Sequence, residues 1–361
     1  MFEEVRNVFI VFTRNCNLRC EYCYESKNKN SISIEVLNKI IEFIKENKKI
    51  NIISLFGGET FLELDKIDYF INKLIKLKNE TGRNFTINSN TNGTIYNEKL
   101  VRLLNKISDN FEFYYIVSID GNKKFHNSKR RYINGNNTYD DIIKNIKLLK
   151  KESPKTFIDF HCVIQLEMCK DFYSVAKDIV RNPLFTTGAF EFLMKTDNKI
   201  HYTINDFENV FKAIMKLNKE GYSKHFLLER FDNILKSVDY RYNNFVLKKG
   251  YCLNGKEAIT VDCDGLVYPC DYYLALEPEK QKKYFIYNFI NGDIKDNFER
   301  LKKLTTETKE QINKCDSCNI QHSCYICTAV KDVSGELGFQ LECLQNKMIL
   351  QAMNNVKFQI F

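Results

Sequence analysis

Through residue 195 the chain alternates two hydrophobic rhythms. Short apolar runs at 8–12, 52–56, 85–87, 111–119, 156–164 and 190–194 read as strands. Longer amphipathic stretches lie between them. In the first, Ile34, Leu37, Ile40, Ile41 and Ile44 fall on one stripe of a helix. The same reading predicts helices near 66–78, 98–107, 139–150 and 172–181. Six strands with helices between them predict parallel βαβ units, and six units suit a partial (β/α)6 barrel. Ligands of such sheets bind at the carboxyl ends of the strands, so the turns after each strand are where chemistry is expected. Residues 196–250 keep a helical pattern with Phe207, Phe211, Tyr222, Phe226 and Phe231, carry no motif, and are expected to bridge two domains.

The turn after the first strand is Cys16-Asn17-Leu18-Arg19-Cys20-Glu21-Tyr22-Cys23. Three thiolates on a compact loop can tie down a [4Fe–4S] cube and leave its fourth iron open. A structural zinc takes four protein ligands, and no fourth candidate sits nearby. After the second strand comes Phe56-Gly57-Gly58-Glu59-Thr60, where two glycines permit close backbone approach and an acid can accept from an ammonium. After the third comes Asn90-Thr91-Asn92-Gly93-Thr94. After the fourth comes Ser118-Ile119-Asp120-Gly121, then Arg131 in a basic loop and Thr138-Tyr139-Asp140 opening a helix. Read alone, the glycine pair is a strand-to-helix turn, and the Ser118 run is a turn with a helix cap. His161 and Cys162 lie within a strand and are expected to pack there.

CxxxCxxC with an aromatic before its last cysteine, placed after a first strand, resembles the radical S-adenosylmethionine (SAM) superfamily. The resemblance implies that Cys16, Cys20 and Cys23 hold a [4Fe–4S] cluster whose open iron chelates SAM, with Tyr22 beside it. It also implies that Gly57, Gly58, Glu59 and Thr60 form the motif that contacts the methionine amino group, and that Asn92 belongs to the same site. Ser118 and Asp120 are then expected near the SAM ribose and Arg131 near its carboxylate.

Composition sharpens this picture. The chain has 361 residues, 44% of them hydrophobic, enough for one large domain and a smaller one. It has no apolar run of 18, so no membrane span is expected, and its acidic start, Met1-Phe2-Glu3-Glu4, is unlike a signal peptide. A cytoplasmic location follows. There, thirteen cysteines argue for metal rather than disulfides. The net charge of +8 is spread without an aromatic–basic stripe, which argues against nucleic acid.

Eight cysteines fall after residue 250: Cys252, Cys263, Cys270, Cys315, Cys318, Cys324, Cys327 and Cys343. Cys252-x12-Gly265-x4-Cys270, then Cys315-x2-Cys318-x5-Cys324-x2-Cys327 and Cys343, resembles the SPASM extension of radical SAM peptide maturases. The departure is two residues rather than three between Cys324 and Cys327. A zinc ribbon would use four cysteines and leave the others unexplained. The resemblance implies an outer auxiliary [4Fe–4S] cluster on Cys315, Cys318, Cys324 and Cys343, and an inner one on Cys252, Cys270 and Cys327. The inner cluster's fourth ligand is either Cys263, near the turn of a hairpin at 261–267, or an open site. The expected domains are a radical SAM barrel (1–195), a helical bridge (196–250), the SPASM domain (251–345) and a tail (346–361).

Val267-Tyr268-Pro269-Cys270-Asp271 is similar to a run in sulfatase-maturing members of this group, where the Asp is the proposed base. Asp271 is therefore a candidate proton acceptor; the competing reading has it fix the loop through backbone N–H groups. The resemblance implies a cytoplasmic enzyme with SAM and three [4Fe–4S] clusters that abstracts hydrogen from a peptide carbon through a 5′-deoxyadenosyl radical. Its partners would be a cysteine-rich precursor peptide and a flavodoxin- or ferredoxin-type electron donor. Cys16 leaves no room before it for a leader-binding region, so a separate leader-binding protein enters as a possible partner. Cys324-Tyr325-Ile326-Cys327 looks more like thioether-forming maturases of cysteine-repeat peptides than like sulfatase activators, which make formylglycine from Cys or Ser. Thioether formation is the expected reaction, and formylglycine formation the alternative.

Overall fold

The computed structural model describes residues 2–193, 202–222, 255, 257–292, 318 and 328–358. Along the chain run β1 (Asn7–Thr13), α1 (Ile34–Glu46), β2 (Ile52–Gly57), α2 (Leu64–Thr81), β3 (Thr86–Thr91), α3 (Glu98–Asn110) and β4 (Glu112–Ser118). Next come α4 (Lys123–Lys129), α5 (Tyr139–Glu152), β5 (Phe157–Ile164), α6 (Phe172–Val180), β6 (Gly188–Phe192) and α7 (Ile204–Lys219). Then follow β7 (Ala258–Val261), β8 (Leu266–Tyr268), α8 (Pro278–Gln281), β9 (Tyr287–Asn288) and α9 (Thr328–Phe358). The chain divides into two units, each discontinuous in sequence. Met1–Ser118, Lys129–Asp159 and Leu253–Lys302 form the first; Ile119–Ser128, Phe160–Cys252 and Lys303–Phe361 form the second.

In the first unit the sheet order is β4-β3-β2-β1-β7-β8-β9, with β4 through β7 parallel. The helices form where the apolar stripes fall. In α1, Ser33 caps the N-terminus by accepting from the Val36 N–H, while Val36, Leu37, Ile40, Phe43 and Ile44 are buried. Asn97 caps α3 in the same way, and Gly82, at φ 70°, ends α2 in the left-handed conformation that glycine adopts without strain. Burying one such aliphatic side chain stabilises the unit by roughly 1.5–3 kcal/mol.

The hairpin expected at 261–267 is present: β7 and β8 pair antiparallel, Val261 opposite Val267. Rather than standing apart, it extends the first unit's sheet, with β7 parallel to β1 from Asn7↔Ala258 to Ile10↔Val261. β1 is thereby an interior strand.

In the second unit β5 and β6 are parallel from Phe160↔Gly188 to Ile164↔Phe192. Only glycine fits at 188, because a Cβ there would lie 2.3 Å from the Phe160 ring. Thr203 and Asp206 form a capping box that starts α7. Phe192 packs on Phe207 and Phe211 of that helix, and α9, interrupted at Gly335, packs along α7. α4 was not expected; it lies in the stretch read as a basic loop. Among the described residues no helix is long and apolar enough to cross a membrane.

Candidate active site

β1 runs directly into the cysteine loop, and the turn after β2 is pressed against the start of that loop. A Cβ on Gly57 would lie 2.3 Å from the Thr13 carbonyl oxygen, and one on Gly58 would lie 2.5 Å from that of Asn15. The Gly58 and Glu59 N–H groups donate to those same carbonyls at 2.9 and 2.8 Å. The glycine pair thus lets the protein's own backbones meet. Glu59 is fully buried. Its Oε1 accepts from the Phe61 N–H and Thr91 Oγ1, and its Oε2 from the Asn92 N–H at 2.7 Å. Burial pushes its carboxyl up, and the three donors pull it back. Glu59 ties the β2 turn to the β3 turn, a job the sequence did not suggest.

Asn92, also buried, donates from Nδ2 to the Asn17 Oδ1 at 2.8 Å and lies 3.8 Å from the Cys16 sulfur. The Leu18 N–H donates to that sulfur at 3.4 Å. Asn17 in turn donates to Thr94 Oγ1. Burial pushes the Cys16 thiol up to about 11, so metal binding there must release a proton. Cys20 is half-buried and Cys23 exposed. Among the described residues no three His, Cys, Asp or Glu side chains converge as a ready-made metal site. The donor set nevertheless suits an iron–sulfur cluster. Three thiols share one short loop, and one sulfur is buried with N–H donors aimed at it. Next to Glu59, the Thr60 hydroxyl is buried without a hydrogen-bond partner.

The other flank of the loop is Asn17–Glu21 paired with 129–133. Ile133 N–H donates to the Asn17 carbonyl, Arg19 N–H to that of Arg131 and Glu21 N–H to that of Lys129, at 2.8–3.2 Å. Here the structure brings in Arg130 rather than Arg131. Arg130 is buried and donates to the Tyr22 hydroxyl at 2.7 Å, whereas Arg131 is exposed. Adjacent residues of an extended segment point to opposite sides, and composition does not tell which arginine turns inward. Ser118, half-buried, ends β4 in the first unit. Asp120 is fully buried in the second unit, where its carboxylate accepts from the Val163 N–H and Gln165 Nε2 and its own N–H donates to His126 Nδ1. His161 pairs with Glu191, and Cys162 is packed, as expected.

On the far side of β1, Arg14 is buried and forks onto Asp262. Nε reaches Oδ1 at 3.0 Å and Nη2 reaches Oδ2 at 2.5 Å, with Gln281 Oε1 and the Leu274 carbonyl completing its partners. Burial alone would lower this guanidinium, and the Asp262 hydrogen bonds and charge more than offset that. Cys270 is buried at the start of a 3-10 turn, and Asp271, the next residue, accepts from the Tyr24 hydroxyl at 2.7 Å. Tyr24 directly follows Cys23, and neither it nor Arg14 was singled out from sequence. Burial, then the charge of Asp271, push Glu25 up to about 7.

Cys263 lies at a distinct place. Its sulfur donates to the Val11 carbonyl at 3.3 Å and lies 3.8 Å from that of Asn30, and the side chain packs with Val11, Phe56 and Leu274. Cys318 and Cys343 are half-buried thiols of the second unit; Cys252, Cys315, Cys324 and Cys327 lie outside the described residues. None of the nine described cysteines is in a disulfide.

A glycine-backed loop of three thiols at the end of a parallel strand has a counterpart among known families. Residues 10–177 match the radical SAM superfamily. This chain carries a radical SAM domain. The radical SAM domain binds SAM and a [4Fe–4S] cluster. The chain is similar to the cysteine-type anaerobic sulfatase-maturating enzyme of Clostridium novyi, 26% identical over 338 residues that cover 84% of this chain and 82% of the relative. The fold is shared with the native anSMEcpe structure with bound AdoMet and Cp18Cys peptide, at a TM-score of 0.72 and 21% identity over 98% of this chain and 99% of that one. Streptococcus suis SuiB bound to precursor peptide SuiA has the same kind of fold, at 0.59 and 13% over 90% of this chain and 72% of that one.

Proposed function

We propose that this radical SAM enzyme moves a hydrogen atom from a carbon of a cysteine-containing peptide to a 5′-deoxyadenosyl radical and joins the cysteine sulfur, after loss of its proton, to that carbon as a thioether, the one electron left over passing to an auxiliary cluster on the C-terminal cysteines. The observation that carries the radical chemistry is the 16–23 loop, with three thiols and N–H donors around the Cys16 sulfur. Peptide modification is supported by the relatives, which are sulfatase-maturating and precursor-peptide enzymes. Cys16, Cys20 and Cys23 would hold the cluster that, when loaded, supplies the electron for cleaving SAM to methionine and a 5′-deoxyadenosyl radical. Thr60, Asn92, Tyr22 and Ser118 would position SAM. Thioether formation as the particular outcome is supported by Cys324-Tyr325-Ile326-Cys327, which resembles maturases of cysteine-repeat peptides.

A second reading, oxidation of a Cys or Ser to formylglycine, is favoured by Asp271. A carboxylate beside a cluster ligand, held by Tyr24, suits a base that takes the proton from the substrate's thiol or hydroxyl. One substitution separates the two. A free substrate thiol has an ordinary pKa near 8.5, which metal or positive surroundings lower, so it needs little help from a base before it is crosslinked. For thioether formation, Asp271→Asn lowers turnover less than about tenfold, with clusters intact and SAM cleavage retained. A loss of about a hundredfold or more at unchanged iron content would place the enzyme with the formylglycine formers.

The remaining cysteines would hold two auxiliary clusters, Cys252, Cys270 and Cys327 the inner and Cys315, Cys318, Cys324 and Cys343 the outer. We take Cys263, whose thiol lies in the core beside Val11, as outside both. Anaerobic reconstitution should load about twelve irons per chain, and about the same number in Cys263→Ala. A content near four irons with bound zinc would refute the auxiliary clusters. A loss of about four irons in Cys263→Ala would make that residue a ligand.

A further inference from the structure

Leu18, in the middle of the cysteine loop and 1% exposed, turns its two backbone groups to different partners. Its N–H faces the Cys16 sulfur at 3.4 Å, and its carbonyl accepts from the Lys27 ammonium at 2.8 Å. Lys27 lies four residues past Cys23, so its side chain folds back onto the loop that precedes it. The backbone just before it is anchored: the Ser26 N–H donates to the Leu274 carbonyl at 3.1 Å, and the Tyr24 hydroxyl donates to Asp271. Among the described residues the ammonium makes no ion pair, and its hydrogen bond goes to a carbonyl. At both Cys16 and Cys23 it is the strongest of the charges acting on the sulfur. Each sulfur also feels a carboxylate, Glu59 at Cys16 and Glu25 at Cys23, and at each the lysine outweighs it. One cation thus serves two of the three thiols from a single anchoring point.

A [4Fe–4S] centre on three thiolates is negatively charged, and taking up one electron adds another negative charge. The charge around such a centre is one of the factors that set its reduction potential. A fixed cation beside the sulfurs therefore favours the reduced form, the form that gives its electron to SAM. We propose that Lys27, anchored on the Leu18 carbonyl, is the residue whose charge holds up the reduction potential of the centre on Cys16, Cys20 and Cys23. The inference rests on the radical SAM reading of the loop. An ammonium has no lone pair to offer iron, so Lys27 acts through its charge and not as a ligand.

The test is a redox titration of the reconstituted full chain without SAM, followed by electron paramagnetic resonance of the reduced centre. Signal from any other cluster is removed by subtracting the spectrum of Cys16→Ala/Cys20→Ala/Cys23→Ala. Lys27→Gln keeps a donor for the Leu18 carbonyl and loses the charge. At a fixed potential its ratio of reduced to oxidised centre should fall about fivefold, a drop of about 40 mV at 59 mV per tenfold for one electron. Lys27→Arg keeps the charge and should stay within about twofold of the parent. Lys29→Gln removes an exposed charge two residues away and should also stay within about twofold. The ratio is read per centre formed, so incomplete loading of a variant does not alter it. An unchanged potential in Lys27→Gln overturns the proposal. So does an equal fall in Lys27→Arg, which would assign the effect to the geometry at Leu18, or in Lys29→Gln, which would assign it to overall charge. Those three outcomes leave the radical SAM reading standing, whereas a parent chain whose three cysteines hold no iron overturns both.

Discussion

Replacing Cys16, Cys20 and Cys23 together with alanine abolishes reductive cleavage of SAM to 5′-deoxyadenosine. The thiols are the loop's only sulfur donors, and the N–H groups of Leu18 and Asn92 that face Cys16 cannot bind iron themselves. The iron content should fall by about four, the share of one cubane, and the other clusters should persist. The chain should stay folded, because the loop is also held by backbone bonds from the β2 turn and from residues 129–133. A triple variant that still makes 5′-deoxyadenosine would remove the basis of the functional assignment.

Asp262→Ala has the largest expected effect on stability. It strands the Arg14 guanidinium, 4% exposed, with only Gln281 and a long contact to Leu274 for compensation. Breaking a buried pair from one side typically costs about 3–5 kcal/mol, against a total stability of roughly 5–15 kcal/mol. Denaturant unfolding of the metal-free chain should show that loss. The double variant Arg14→Met/Asp262→Leu removes both charges and should recover about half of it or more, since a buried pair can often be replaced by apolar groups at little cost. A double variant as unstable as the single one would mean that packing around Arg14, not its charge, carries the effect.

Much of this fold is legible in the sequence because its signals are local. The stripes of α1 and α3 and their caps at Ser33 and Asn97 lie within a dozen residues of each other. So does the spacing of the first three cysteines. The unread parts are non-local or depend on direction. Nothing near Ala258 announces that it will pair parallel with Asn7. Gly57 and Gly58 read as a place for a ligand, because close backbone approach looks alike in sequence whether the partner is a cofactor or Thr13. Glu59 and Asp120 read as ligand-facing acids, yet both are buried among the protein's own donors. The sequence pattern points to Arg131, yet it is Arg130 that turns toward Tyr22, a direction that a run of two arginines does not disclose.

The placement of β7 against β1 also sets a timetable. β1, the strand that delivers the redox loop, keeps one open edge until a strand from the far end of the chain reaches it. Arg14 likewise waits for Asp262, 248 residues later. At roughly 5–20 residues per second of synthesis, that interval lasts about 12–50 s. During it the cysteine loop emerges, exposed to oxygen and to stray metal, with its strand unpaired on one side and its arginine uncompensated. Any iron–sulfur assembly on the three thiols within that interval would act on a loop whose strand still lacks one of its two neighbours.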